Sequence, residues 1–251
     1  MNPPNPAVST QLADRAWPEV ATGSSVLLPI GSLEQHGPHL PLDTDTVIAT
    51  SVAQAIADRL RASDPSVIVA PALPFGASGE HQDFPGTISI GHVALAEVLR
   101  EMIRSLSTWA ERIIVVNGHG GNVPTLITVV NQMRIENHDV AWIPCLFEAN
   151  QDAHAGHDET SVMLHLAADR VRMDRAVRGN TESLESLLPL LLASGVRAAS
   201  PSGVLGDPTE ASVTHGKRIF AATVEQAVAW IRHGTPNEAG RLVPQLVRNE
   251  R

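Results

Sequence analysis

Residues 25–62 read SVLLPIGSLEQHGPHLPLDTDTVIATSVAQAIADRLRA, and this one stretch decides the fold class. It opens on an apolar run, Ser25 to Ile30, without the polar alternation of a half-exposed strand, as expected for a strand covered on both faces. It closes on a helix, because Val47, Ile48, Val52, Ala55, Ile56 and Leu60 recur at the spacing that lines one helical face. Between them lies a loop dense in Glu, His, Pro and Asp. The unit then repeats. Val67 to Ala70 (VIVA) leads through a Gly/Pro-rich loop to a helix over Val93 to Trp109. Arg112 to Val116 (RIIVV) leads to a helix from about Val123 to Glu136, and a fourth strand follows at Val140 to Cys145. Strands alternating with helices predict an α/β fold, a three-layer α/β/α sandwich around a mainly parallel sheet.

A chain of 251 residues with no internal repeat and no linker suits a single domain over 1–251. The Pro/Asn-rich residues 1–10 and the polar residues 236–251 are expected to be flexible. Lys plus Arg is 18 against 27 for Asp plus Glu, a net charge of −9 that disfavours nucleic acid and anionic membrane as partners. No apolar run approaches the roughly 18 residues of a membrane span, and MNPPNPAVST lacks a secretion signal, so a cytoplasmic protein is expected. The single cysteine, Cys145, ends an apolar strand and reads as buried and inert. Histidine is abundant, with 11 residues against 4 Phe, 4 Trp and no Tyr.

In such sheets ligands bind beyond the carboxyl ends of the strands. The segments richest in His, Asp, Glu and Gly, residues 31–45, 75–87, 117–122 and 152–159, each follow a predicted strand. Glu34 and His36 are two apart and project to one side of an extended stretch. Asp45 stands where the next helix begins, a position that also suits an N-cap. NGHGGN sets His119 among glycines, and DAHAGHDETS supplies His154, His157, Asp158 and Glu159 ahead of the amphipathic SVMLHLAA. Pooled, His36 and His119 with Glu34, Asp45 and Glu159 make a nitrogen and oxygen donor set without thiolate, suited to Zn, Mn or Fe in a hydrolytic site. Five donors exceed what one catalytic ion takes, whereas a two-metal centre with one bridging carboxylate uses them all. Rival chemistries fail on inspection. Gly76 to Glu80 reads GASGE and supplies no G-x-S-x-G nucleophile elbow, and neither a dinucleotide fingerprint nor a P-loop occurs.

The motifs GSLEQHGPHLPLDTDT, GASGEHQDFPGTIS, NGHGGN and HAGHDETS, in this order from about Val26 to Leu166, resemble the creatininase (creatinine amidohydrolase) family of metal-dependent amide hydrolases. The resemblance implies a creatininase-like fold, two divalent ions per subunit (Zn and/or Fe, with Mn as an alternative) and a homo-oligomer. Carried over by position, it makes Glu34, His36, Asp45 and His119 metal ligands, with Asp45 bridging. His154 matches the catalytic histidine, and Glu159 the glutamate of the ET pair. Creatininase proper reads NGHYEN, where a glutamate two places after the ligand histidine binds the second ion. That place here is Gly121, so Glu159 is expected to complete the second site. The loop Leu146 to Ala153 lacks the tryptophans that close over creatinine, which argues against creatinine as substrate.

HAGHDETSVMLHL, SGVLGDPTEAS and GKRIFAATVEQ resemble a branch that trims a C-terminal dipeptide, Val-Tyr, from a modified precursor peptide. The alternatives are a non-peptidic amidohydrolase acting on a cyclic amide or formamide, and a non-catalytic peptide-binding scaffold. His39, Glu80, His81 and His157 are candidates for contacting substrate or orienting ligands. His92, His138, His165, His215 and His233 read as solvent or packing residues.

Overall fold

The computed structural model of the chain describes residues 9–145 and 152–245. Four parallel strands, β1 (Ser24–Ile30), β2 (Ile68–Val69), β3 (Ala110–Asn117) and β4 (Val140–Pro144), form a sheet in the order β2-β1-β3-β4. β1 is central: Val26 pairs with Ile68 of β2 and Ile113 of β3, and Ile30 with Asn117. The helices are α1 (Thr44–Leu60), α2 (Gly91–Leu106), α3 (Val123–Ile135), α4 (His157–Ala167), α5 (Leu184–Ala199) and α6 (Val213–His233).

Successive side chains of a strand point to opposite faces, and both faces here are covered. Val26, Leu28, Ile30, Ile113 and Val115 meet Leu95, Leu99 and Ile103 of α2 and Leu126, Val129 and Met133 of α3. Leu27, Ile114 and Val116 turn the other way, onto Ile48, Val52 and Ile56 of α1, Val162 and Met163 of α4, and Ile219 and Val224 of α6. Full burial of each such side chain contributes up to about 1.5–3 kcal/mol. Polar alternation in β1 would forfeit that on one face, which is why its sequence shows none. The expected α/β/α sandwich is the observed one.

The chain runs from β1 through α1 to β2, passes back over β1 to β3, and continues through α3 to β4. Neighbouring β1 and β3 therefore send their helices to opposite faces of the sheet. A crevice opens at their carboxyl ends, where such folds bind ligands.

Several local expectations need correction. Asp43, not Asp45, holds the N-cap position of α1 and makes no side-chain capping bond there; Asp45 sits in the first turn. α4 begins at His157, so His157, Asp158 and Glu159 form its first turn rather than a preceding loop. α5, broken at Gly195, and the 21-residue α6 lie beyond the last element the sequence pattern predicts. The C-terminal segment expected to be flexible from 236 instead folds as an antiparallel pair, β5 (Thr235–Pro236) and β6 (Leu242–Val243), with Leu242 fully buried. Trp142 explains this: its backbone N–H donates to Gly240 O at 3.1 Å and its indole to Ala239 O at 2.8 Å. The tail thus covers the open edge of β4, satisfying donors that an edge strand would otherwise expose. At the other end Thr10, also expected to be flexible, is buried and its carbonyl accepts from Val69 N at 2.8 Å. Residues 1–8 and 246–251, and most of the 146–153 loop, lie outside the described residues.

Candidate metal centre

Alternate residues of the loop after β1 converge on Asp45 from the first turn of α1. Ser32 Oγ lies 2.7 Å from Glu34 Oε2 and 2.8 Å from Asp45 Oδ2. His36 Nε2 lies 3.2 Å from Asp45 Oδ1 and 3.7 Å from Glu159 Oε1. His119 Nδ1, from the loop after β3, lies 3.2 Å from Glu34 Oε2 and 3.3 Å from Asp45 Oδ2. The five residues therefore meet as two triads, Glu34–Asp45–His119 and His36–Asp45–Glu159, each with its ligand atoms within 4.8 Å of one another. Asp45 belongs to both and turns a different oxygen to each.

The loops are tied together by Asn122. Its Nδ2 donates to Gly31 O at 3.0 Å and Asn117 Oδ1 at 3.2 Å, while its Oδ1 accepts from Ala77 N at 2.9 Å. One buried amide thus joins the segments following β1, β2 and β3. Gly121 has a steric reason as well. A Cβ there would lie 2.6 Å from both Ala77 O and Glu80 Oε1, so the Glu80 carboxylate occupies the space a side chain would need.

Backbone carbonyls fix the histidine rings. His36 Nδ1 donates to Glu34 O at 3.1 Å, leaving Nε2 to face the carboxylates. His119 Nε2 lies 3.3 Å from Ala77 O and 3.4 Å from Glu80 Oε1, leaving Nδ1 inward. His154 Nε2 donates to Gln35 O at 2.8 Å, so its Nδ1 is open and points at Glu34 Oε1, 3.7 Å away. Outer bonds of this kind select the tautomer and orientation of metal-ligating and proton-carrying histidines.

The carboxylates and imidazoles of the cluster set one another's charge. Burial works against charge on His36, but Asp45 and Glu159 outweigh it and hold its pKa well above the ordinary imidazole value. Burial likewise opposes charge on His119, and Glu34, Asp45 and Glu80 outweigh it to the same effect. Burial alone would raise Asp45 and Glu159, yet the neighbouring histidines keep both below the usual carboxylate range. His154 goes the opposite way: burial first, then the nearby His36, lower its pKa and favour the neutral ring. Two observations show that this donor set suits divalent ions. Glu34 Oε1 is buried without a hydrogen-bond partner among the described residues, and the one proton of Ser32 Oγ faces two carboxylate oxygens. A cation among Glu34, Asp45 and their histidines satisfies what that proton cannot.

The remaining candidates divide. His81 is buried in the cluster, with Nε2 3.2 Å from Glu34 Oε1 and Nδ1 facing Gln35 Nε2 at 2.9 Å. Glu80 borders it through His119. His39 Nε2 meets Thr160 Oγ1 at 2.9 Å, beside Glu159, and its Nδ1 has no partner among the described residues. His157 turns away, its Nε2 donating to Glu210 O at 3.1 Å. His215, read as a solvent or packing residue, is instead bonded to Asp158 at 2.7 Å. Sequence reasoning missed Ser32, Gln35 and Asn122, whose polar side chains had no metal-ligand signature. Cys145 is buried, and burial pushes its thiol pKa up, as expected of an inert cysteine.

Residues 13–231 match the family model described as creatinine amidohydrolase. The chain is 50% identical over 240 residues to the mycofactocin precursor peptide peptidase of Mycobacterium ulcerans (strain Agy99), covering 94% of this chain and 93% of that protein. Among solved structures it resembles a creatininase with Mn, at TM-score 0.73 and 26% identity over 89% of this chain and 98% of that one. A mutant creatininase of Zn-Zn type gives TM-score 0.72 and 26% identity, over 89% and 97%.

Proposed function

The chain belongs to the creatininase family of C–N bond hydrolases, and from that premise we propose that it is a peptidase removing a C-terminal dipeptide, Val-Tyr, from the modified mycofactocin precursor peptide. The observation that carries the hydrolytic part is the sharing of Asp45 between two triads, one oxygen to each. The peptide substrate is supported by the 50% identity to a relative named for that activity.

In this reading Glu34, Asp45 and His119 hold one divalent ion, and His36, Asp45 and Glu159 the other. The all-nitrogen-and-oxygen set suits Zn or Fe, with Mn as an alternative. Bound there, the ions supply Lewis acidity, lowering the pKa of water and polarising the scissile carbonyl. His154 is neutral and offers Nδ1, so it takes the proton of the attacking water at that atom and passes it to the leaving amine nitrogen. Gln35 positions it through its backbone carbonyl. The Gln35 side chain also donates to Gly203 O at 3.0 Å and faces His81 Nδ1 at 2.9 Å, which holds the His81 ring beside Glu34. Glu80 steadies His119 from behind.

We place the protein in the cytoplasm as a homo-oligomer. No helix among the described residues is long and apolar enough to cross a membrane, and α5 exposes Leu184, Leu188 and Leu192, an apolar face suited to self-association. Incubation with the modified precursor tests the activity: release of the dipeptide supports the peptidase. Turnover of cyclic amides or formamides alone makes it an amidohydrolase of another substrate class, and tight peptide binding without cleavage makes it a scaffold.

A further inference from the structure

His157 and Asp158 in the first turn of α4 face His215 in the first turn of α6. His215 Nε2 lies 2.7 Å and His157 Nδ1 3.4 Å from the same oxygen, Asp158 Oδ1, and the two rings are 4.4 Å apart. The three ligand atoms lie within 4.8 Å of one another. Their side chains are 32%, 20% and 26% exposed for His157, Asp158 and His215, enough for a hydrated ion to enter and exchange water for protein donors. None of the three belongs to either triad around Asp45.

The seat is rigid. Gly216, next to His215, packs against the Ser161 carbonyl with no room for a Cβ. Ser212 Oγ accepts from His215 N at 3.3 Å, and Ser161 Oγ accepts from Ser212 N at 3.0 Å. The starts of α4 and α6 are thereby locked together. His157 is also pre-set: its Nε2–H is spent on Glu210 O, which leaves Nδ1 as a lone pair on the Asp158 side.

We propose that His157, Asp158 and His215 form a separate binding site for a borderline transition metal of the Zn²⁺ class. Two imidazoles and one carboxylate favour such an ion over Ca²⁺ or Mg²⁺, which take mostly oxygen. Water completes the coordination. Binding displaces the His215 Nε2 proton now donated to Asp158; the ring then carries its proton on Nδ1, and Arg218, whose Nη2 lies 3.5 Å from that atom, swings outward. An ion here clamps the turn that carries Glu159 against α6.

The test counts Zn²⁺. Wild type, His215→Ala, His215→Gln and Asp45→Asn are freed of metal, equilibrated with buffered Zn²⁺ and analysed for bound metal per chain. The expected result is a loss of one equivalent in both His215 variants. Asp45→Asn keeps that equivalent while losing those of the central cluster, so failure of the central assignment is read separately. His215→Gln guards against misfolding, checked by thermal unfolding. Equal Zn²⁺ uptake by wild type and a folded His215 variant overturns the proposal, as does a Zn²⁺-soaked crystal with no anomalous peak among these three residues.

Discussion

Asp45→Asn is the substitution that separates a shared centre from two independent ones. It keeps the side-chain volume and leaves an oxygen for Ser32 to bond, but removes the charge that faces both His36 and His119, at 3.2 and 3.3 Å. Loss of an outer partner costs about 10–100-fold in metal affinity, so loss of a direct carboxylate costs at least the upper figure, about 2.7 kcal/mol per ion. Because Asp45 belongs to both triads, the penalty falls twice, for a total of at least ~5 kcal/mol. At about 2–4 °C per kcal/mol for a chain of this size, the Tm in metal-saturated buffer drops by roughly 10–20 °C. Hydrolysis falls by about 10³-fold or more, since several kcal/mol of transition-state stabilisation go with the ions. Glu34→Gln and Glu159→Gln each touch one triad and should lose one ion. The assay is metal content after dialysis, read beside Tm and peptide turnover for all three variants. If Asp45→Asn retains a full ion from the central cluster while Glu34→Gln or Glu159→Gln loses both, Asp45 is not the bridge.

Three further outcomes are expected. His154→Ala should keep its metal and lose about 10²–10⁴ in rate, as measured by steady-state turnover beside metal analysis; loss of metal instead would make His154 a ligand. In metal-free protein the raised His36 and His119 contribute stability that is complete below the ordinary value of 6.5 and lost as pH rises through their higher folded values. Its Tm should therefore fall on the alkaline side and recover on adding Zn²⁺, while Zn²⁺ affinity, which needs neutral ligand rings, should weaken on acidification; an alkaline rise in the metal-free Tm contradicts this. Gly216→Ala should cost about 1–3 kcal/mol or more, because the added methyl meets the Ser161 backbone carbonyl where α6 packs on α4; unchanged thermal unfolding would show that the two helices separate freely.

The sheet and its first three helices were legible because burial on both faces leaves continuous apolar runs, and Val26 to Ile30 and Ile113 to Val116 show them plainly. α6 carries a comparable signal, with Ile219, Thr223, Ala227 and Trp230 buried at helical spacing behind a Ser212 cap, and it was legible in principle. The C-terminal pair was not. Its two-residue strands have no period, and a single Leu242 carries the burial in a polar segment. The N-cap falls on Asp43 rather than Asp45 for a related reason: a carboxylate at a helix start suits an N-cap or a ligand equally, and only the position of its partners decides.

At the centre, the residue types were legible and the ring orientations were not. Each of His36, His119 and His154 presents one nitrogen to the cluster because a backbone carbonyl, from Glu34, Ala77 and Gln35 respectively, faces the other. Any residue supplies a carbonyl, so no side-chain motif encodes these bonds; they depend on where Asn122 pins the three loops. The inward nitrogen is Nε2 on His36 and Nδ1 on His119 and His154, a difference invisible in the letters of the motifs. It is nonetheless decisive. A ring flipped about its Cβ–Cγ bond would turn a carbon toward the carboxylates in place of the nitrogen that pairs with them, and would leave the backbone carbonyl without its donor.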